Sequence, residues 1–218
     1  MSEYLGKGVY TVPQAARLTG ISAQRIHYWH RELASQEGLW KADFKRLEDT
    51  VGLSFLDLME LRFINHFRNC GVAWPVIKSA AAAAISLFDK SHPFSNKRFK
   101  TDGKSIFAEF LEKGEKHLIQ MDKRQFAIKN VVDKELYSGL EFSDAGHVLR
   151  WQPSDKLSIV IDPKISFGQP VVMNERIPTD TLFDAWKVEK SFENVAVRFE
   201  ISLKSVKDAV SFEQQMAT

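Results

Sequence analysis

The sequence predicts an α+β chain, mainly α: an N-terminal helix-turn-helix, a mixed α/β middle with hairpins, and a small C-terminal helical bundle. Three observations carry this reading. Apolar residues recur at helical spacing behind good caps up to Phe88, Asp-Gly and Ser-Asp-Ala-Gly turn signals break up the middle, and apolar positions return to helical spacing after Asp162-Pro163. A length of 218 residues allows one large domain or two small ones. The expected division is residues 1–95, 96–161 and 162–218.

The elements follow in order. Thr11 is a candidate N-cap with Pro13 tolerated in the first turn, so a short helix carrying Ala15, Ala16 and Leu18 begins there and stops at Gly20. Ser22 caps a second helix from Ala23 through Arg31, with Ile26 and Trp29 facing inward. Ser54-Phe55-Leu56-Asp57 is a capping-box start to a third, whose inner face is Leu58, Leu61, Ile64 and Phe67. A fourth runs from Pro75 through the alanines 80 to 84 to Phe88; its small residues allow close helix approach. Phe99 to Ile106 reads as a hairpin around Asp102-Gly103. Ile128, Val131, Val132 and Leu136 fit one face of a helix. Leu140–Phe142, Val148–Gln152 and Ser158–Ile161 read as strands. The final helical region from Asp162 has Leu182, Phe183, Trp186, Val195 and Phe199 as core candidates.

Composition narrows the function. Hydrophobic residues at 44% and charged ones at 27% are those of an ordinary globular protein, which excludes wholesale disorder. There is no apolar run of about 18 residues and no basic-then-apolar start, so no membrane partner and a cytoplasmic location are expected. The lone Cys70 forms no internal disulfide. A net charge of +2 alone points to no polyanion, and residues 162–218 carry 7 basic against 9 acidic groups. Residues 1–31 hold Lys7, Arg17, Arg25 and Arg31 against Glu3, so a nucleic-acid footprint belongs at the N-terminus.

A helix that reads DNA needs donors and acceptors opposite its apolar anchors. Gln24, Arg25, His27, Tyr28 and Arg31 fill those positions around Ile26 and Trp29, with Gln24 and Arg25 suited to base edges and the others to phosphates. A solvated amphipathic helix would show the same periodicity. None of the six histidines (His27, His30, His66, His92, His117, His147) sits in a metal-binding motif, although His27 and His30 lie three apart. No Walker loop, GxGxxG or G-x-S-x-G occurs, and no catalytic residue or cofactor is expected.

Resemblance adds to this. Tyr10-Thr11-Val12-Pro13-Gln14-Ala15-Ala16 and Gly20-Ile21-Ser22-Ala23-Gln24-Arg25-Ile26-His27-Tyr28-Trp29 resemble the MerR-type winged helix-turn-helix, and Asn69-Cys70-Gly71-Val72 before Pro75 is similar to a later turn of that family. His27 stands where arginine is usual there, and Leu39 to Gly52 lacks the Arg-rich wing. The DNA-contacting set this implies is Thr11, Gln14, Ser22, Gln24, Arg25, His27, Tyr28 and Arg31. Asp162-Pro163-Lys164-Ile165-Ser166-Phe167-Gly168-Gln169-Pro170-Val171, Arg176-Ile177-Pro178-Thr179 and Phe192-Glu193-Asn194-Val195-Ala196 resemble a small helical domain of unassigned function found in bacterial antitoxins. The two ends together resemble the larger VapB-type antitoxins of VapBC systems. That resemblance implies a homodimer that binds a PIN-domain ribonuclease toxin and operator DNA and represses its own operon. Two other readings stand beside it: a MerR-like ligand-sensing regulator without a toxin partner, and a protein-interaction module with a vestigial DNA-binding domain.

Overall fold

A capping box starts the first helix of the computed structural model, which describes residues 5–34, 43–44, 52–88, 91–100 and 135–216, with 31–34 as backbone only. Thr11 ends the short strand β1 (Tyr10–Thr11) in extended conformation. Its hydroxyl accepts the Gln14 amide at 3.4 Å, and the Gln14 side chain accepts the Thr11 amide at 2.8 Å. Two donors that a helix start leaves unmatched are thereby satisfied. α1 (Val12–Thr19) buries Val12, Ala15 and Leu18 and ends at Gly20, whose φ of 68° lets its amide reach the Ala16 carbonyl at 2.9 Å. α2 (Ala23–Ala34) follows at once, and β2 (Gly52–Leu53) packs on α1.

The described residues fall into two compact units, one within Thr11–Ser138 and Phe142–Val148, the other within Met1–Tyr10, Gly139–Glu141 and Leu149–Thr218. In the first, α3 (Phe55–Asn69) is the central helix and contacts α1 and α4 (Trp74–Phe88). Its core is aromatic: Phe67 meets Phe94 edge-on at 5.0 Å, Phe94 meets Phe99 at 5.0 Å, and Phe63 meets Tyr137 at 5.1 Å. Such edge-to-face pairs add to the stabilisation from burial alone.

Residues 97–100 are helical, which corrects the expected hairpin at its first strand. Asn96 is the reason. Its side chain accepts the Arg98 amide at 2.9 Å and its carbonyl accepts the Phe99 amide at 2.9 Å, so the chain is capped into a helix before Asp102-Gly103 is reached. Phe99 is buried on the Phe67–Phe94 pair instead of pairing across strands. The Asp102-Gly103 tip and the helix expected around Ile128 to Val132 lie outside the described residues; Glu135–Tyr137 is a single 3₁₀ turn.

A four-stranded sheet has the order β3 (Leu140–Phe142), β4 (Val148–Trp151), β5 (Ile159–Ile161), β6 (Pro170–Val172), and all of it but Phe142 and Val148 belongs to the second unit, with three helices after it. β6 is a strand inside the segment expected to be a helical bundle with a turn at Gly168 and Pro170. It pairs antiparallel with β5 in the register Ile159↔Val172, Val160↔Val171, Ile161↔Pro170. Pro170 is admissible at a strand's first residue, where no ladder donor is lost. The 3₁₀ turn Ser166–Gly168 between them holds Gly168 at φ +86°, and its carbonyl accepts the buried Tyr10 hydroxyl at 2.7 Å. A Cβ on Gly168 would collide with that ring oxygen.

α5 (Thr179–Glu189), α6 (Phe192–Phe199) and α7 (Leu203–Met216) form the bundle, with α5 and α7 in extensive contact. α7 buries Val206, Ala209, Val210 and Phe212. Leu182 and Val195 are buried as expected, whereas Phe183, Trp186 and Phe199 are only half-buried. Trp186 stacks between Phe183 at 5.9 Å and Phe192 at 5.5 Å at the bundle surface.

Candidate nucleic-acid interface

The apolar anchors of α2 orient its polar residues. Ile26 and Trp29 are buried at 0% and 5% exposure, and Trp29 stacks on Trp74 at the start of α4 with 6.2 Å between centroids and 14° between planes. This fixes the rotation of α2 about its axis, because turning it would pull two large apolar side chains into water. Gln24, Arg25 and His27 are then presented to solvent. Tyr28 is 45% exposed and its ring lies tilted against Trp74 at 6.3 Å.

The rest of the expected set divides by role. Ser22 accepts the Arg25 amide at 3.4 Å and caps α2. Thr11 is half-buried and Gln14 exposed, and their side chains are engaged with each other in the capping box. Their observed role is to build the start of α1. The Arg31 side chain lies outside the described residues, as do nearly all of the residues between α2 and β2 where a wing would lie.

A second polar constellation of this unit has no counterpart in the sequence reading. Asp57 is the third residue of α3 and closes its capping box: Ser54 Oγ accepts the Asp57 amide at 3.1 Å, and Asp57 Oδ2 accepts the Ser54 amide at 2.8 Å. The other carboxylate oxygen, Oδ1, lies 3.0 Å from His92 Nε2, and Asp43 Oδ2 lies 4.0 Å from the same nitrogen. His92 Nδ1 is 3.1 Å from Ser91 Oγ. Glu60, one turn on from Asp57, accepts the Ser95 amide at 2.7 Å and the Phe94 amide at 3.4 Å, and so ties the turn after α4 to the middle of α3.

Burial shifts these groups. The Glu60 carboxyl is pushed up to about 7 by loss of solvent, a rise that His92 and the two amides only partly oppose. Burial also disfavours the charged form of His92, but the Asp57 hydrogen bond and the charges of Asp57, Glu60 and Asp43 outweigh it and hold the imidazole above its ordinary value. Arg62 donates to the Leu136 carbonyl at 2.7 Å and is lowered to about 10 by burial, so it stays charged. The Asp57–His92 pairing spans 35 positions of sequence, and only Asp57's capping role was visible locally.

In the second unit α6 and α7 are joined by the short turn Glu200-Ile201-Ser202, giving a helix–turn–helix outline. Lys204 on the first turn of α7 is bound to Asp208 and Ser158. Among the described residues no helix is long and apolar enough to cross a membrane.

Residues 159–212 match the model of a family described as a protein of unknown function, DUF433. No curated protein matches the chain. The crystal structure of Rv2018 from Mycobacterium tuberculosis is similar to this one, with a TM-score of 0.73 and 17% sequence identity, over 92% of this chain and 96% of that one. The likeness is one of fold, and it extends over nearly the whole of both chains.

Proposed function

We propose that this protein is a DNA-binding antitoxin: a dimer that binds operator DNA through α2, represses its own operon, and neutralises a PIN-domain ribonuclease toxin of the VapC type. The observation that carries the DNA-binding half is the rotation of α2. Its buried Ile26 and Trp29 leave Gln24, Arg25, His27 and Tyr28 together on the open side of a short helix that follows a glycine turn. Donors of this kind on a second helix suit the major groove, and two copies roughly 34 Å apart would meet successive grooves of a palindrome. The antitoxin half rests on the resemblance of both chain ends to VapB-type antitoxins; the family matched by residues 159–212 has no assigned function.

Affinity purification of the full chain from its native host, with the bound proteins identified by mass spectrometry, tests the partner. A small PIN-domain protein whose ribonuclease activity falls when this chain is added is the expected result. Recovery of a small molecule that alters DNA affinity, without any protein partner, would replace the antitoxin with a ligand-sensing regulator. For the DNA half, Arg25→Ala is expected to lose about 1–3 kcal/mol of operator binding while binding to random DNA changes little. Equal losses on both would remove Arg25 from base reading.

A further inference from the structure

We propose that Asp43, Asp57 and His92 are the protein ligands of a divalent transition-metal ion, for which Zn²⁺ is the natural probe. The donor atoms of the three residues all lie within 4.8 Å of one another. An ion held at about 2.0–2.2 Å by imidazole and carboxylate ligands needs neighbouring donors roughly 3–3.5 Å apart. The His92 Nε2 to Asp57 Oδ1 distance of 3.0 Å already meets this, and the 4.0 Å to Asp43 Oδ2 closes by a small rotation of the Asp43 side chain, which is 26% exposed where the other two are buried.

The surroundings are those of a ligand set. A metal-binding histidine ordinarily gives its other ring N–H to an outer partner that sets the tautomer. Here Ser91 Oγ stands 3.1 Å from Nδ1 in position to accept it, so that the Nε2 lone pair faces the two aspartates. Asp57 is held just as firmly, because its second oxygen is engaged by the Ser54 amide at 2.8 Å. Two carboxylates thus face one imidazole nitrogen. A doubly charged ion in place of the proton on Nε2 balances that charge better than a single imidazolium does.

The ion would join three segments, position 43, the first turn of α3 and the turn that follows α4, adding to the Glu60 hydrogen bonds that already tie the last two together. This makes it a structural clip in the unit that carries α2. The proposal does not depend on the DNA-binding or antitoxin reading.

The test is titration of Zn²⁺, and of Co²⁺ read by its visible absorption, into the chelator-treated full chain without a histidine tag. The chain is compared with Asp43→Asn, His92→Gln and Cys70→Ser. One equivalent bound by the wild-type chain with a rise in melting temperature, weakened at least tenfold by Asp43→Asn and unaffected by Cys70→Ser, is the expected result. Asp43→Asn is the deciding variant because its partly exposed side chain can be changed without emptying the core; His92→Gln is read only if its melting curve shows it folded. Absence of a stoichiometric site in the wild-type chain would overturn the proposal. Binding kept by Asp43→Asn and lost by Cys70→Ser would do so too, since it would place the ion at Cys70 and His66, whose Sγ and Nε2 are 3.6 Å apart.

Discussion

Glu60 sets a pH dependence that can be read residue by residue. In the folded protein its carboxyl is raised to about 7, above the ordinary carboxylate value, so the folded state keeps a proton that the unfolded chain releases near pH 4.5. Stability is therefore full below about pH 4.5 and falls as pH rises towards 7, by roughly 3 kcal/mol for a shift of this size in a fully buried group. His92, raised as well, contributes stability that is complete below its unfolded value and is lost at higher pH, in the same direction. Thermal unfolding of the metal-free protein between pH 5 and 8 should show a falling melting temperature, with a clearly shallower slope in Glu60→Gln. An unchanged slope would remove Glu60 as its source. Gly139 offers a second test at this scale. Its φ of +70° and a Cβ position that would collide with the Gln152 carbonyl exclude any side chain, while its own carbonyl accepts the Gln152 amide at 2.8 Å. Gly139→Ala should lower stability by more than about 2 kcal/mol in chemical denaturation, combining left-handed strain with a backbone clash.

Helix starts carry the predictions at the scale of elements. Thr11 and Ser54 head capping boxes on α1 and α3, and loss of such a hydroxyl costs about 1 kcal/mol. Thr11→Ala should weaken DNA binding only as far as it loosens α1, so Thr11→Ser should restore both the melting temperature and the affinity. If serine restores stability and leaves binding impaired, the threonine methyl contacts DNA directly. Ile26 on α2 is fully buried and anchors the helix behind its exposed polar face. Truncation to alanine is expected to cost about 2–5 kcal/mol and to reduce affinity for every DNA sequence alike, because the helix loses its fixed rotation and no base contact is removed. Denaturant melts paired with operator and random-DNA titrations distinguish the two effects.

At the scale of the whole molecule, the charge balance makes salt the informative variable. The net charge is only +2, so the proposed DNA binding draws on locally placed cations such as Arg25 and not on the overall charge. The logarithm of operator affinity should fall linearly with the logarithm of salt concentration, with a slope near 0.9 for each phosphate contacted. Binding that ignores salt would favour an interaction module over a repressor. The fold shared with Rv2018 at 17% identity shows how little of the sequence the architecture requires. A pattern of caps, glycine turns and apolar faces is enough, and polar side chains at exposed positions such as Gln24 and Arg25 can vary with the partner.

The sequence by itself determined the local parts of this protein. The starts of α1, α2 and α3 at Thr11, Ser22 and Ser54, the stop at Gly20, the inward faces of Ile26 and Trp29, and the strands near Leu140, Val148 and Ile159 were all legible. Caps and hydrophobic periodicity act between residues three or four apart, so a short window of sequence contains them whole. Tertiary structure decided the rest. Residues 97–100 became helical through the side chain of buried Asn96, β6 became a strand because β5 offered it a ladder, and Phe183 and Trp186 took the bundle surface because α7 had already filled the core. The meeting of Asp57, Glu60 and His92 was hidden for the same reason. His92 lies more than thirty positions from Asp57 and Glu60, the chain brings them together only when α3 and the turn after α4 pack, and nothing in either segment alone records that contact.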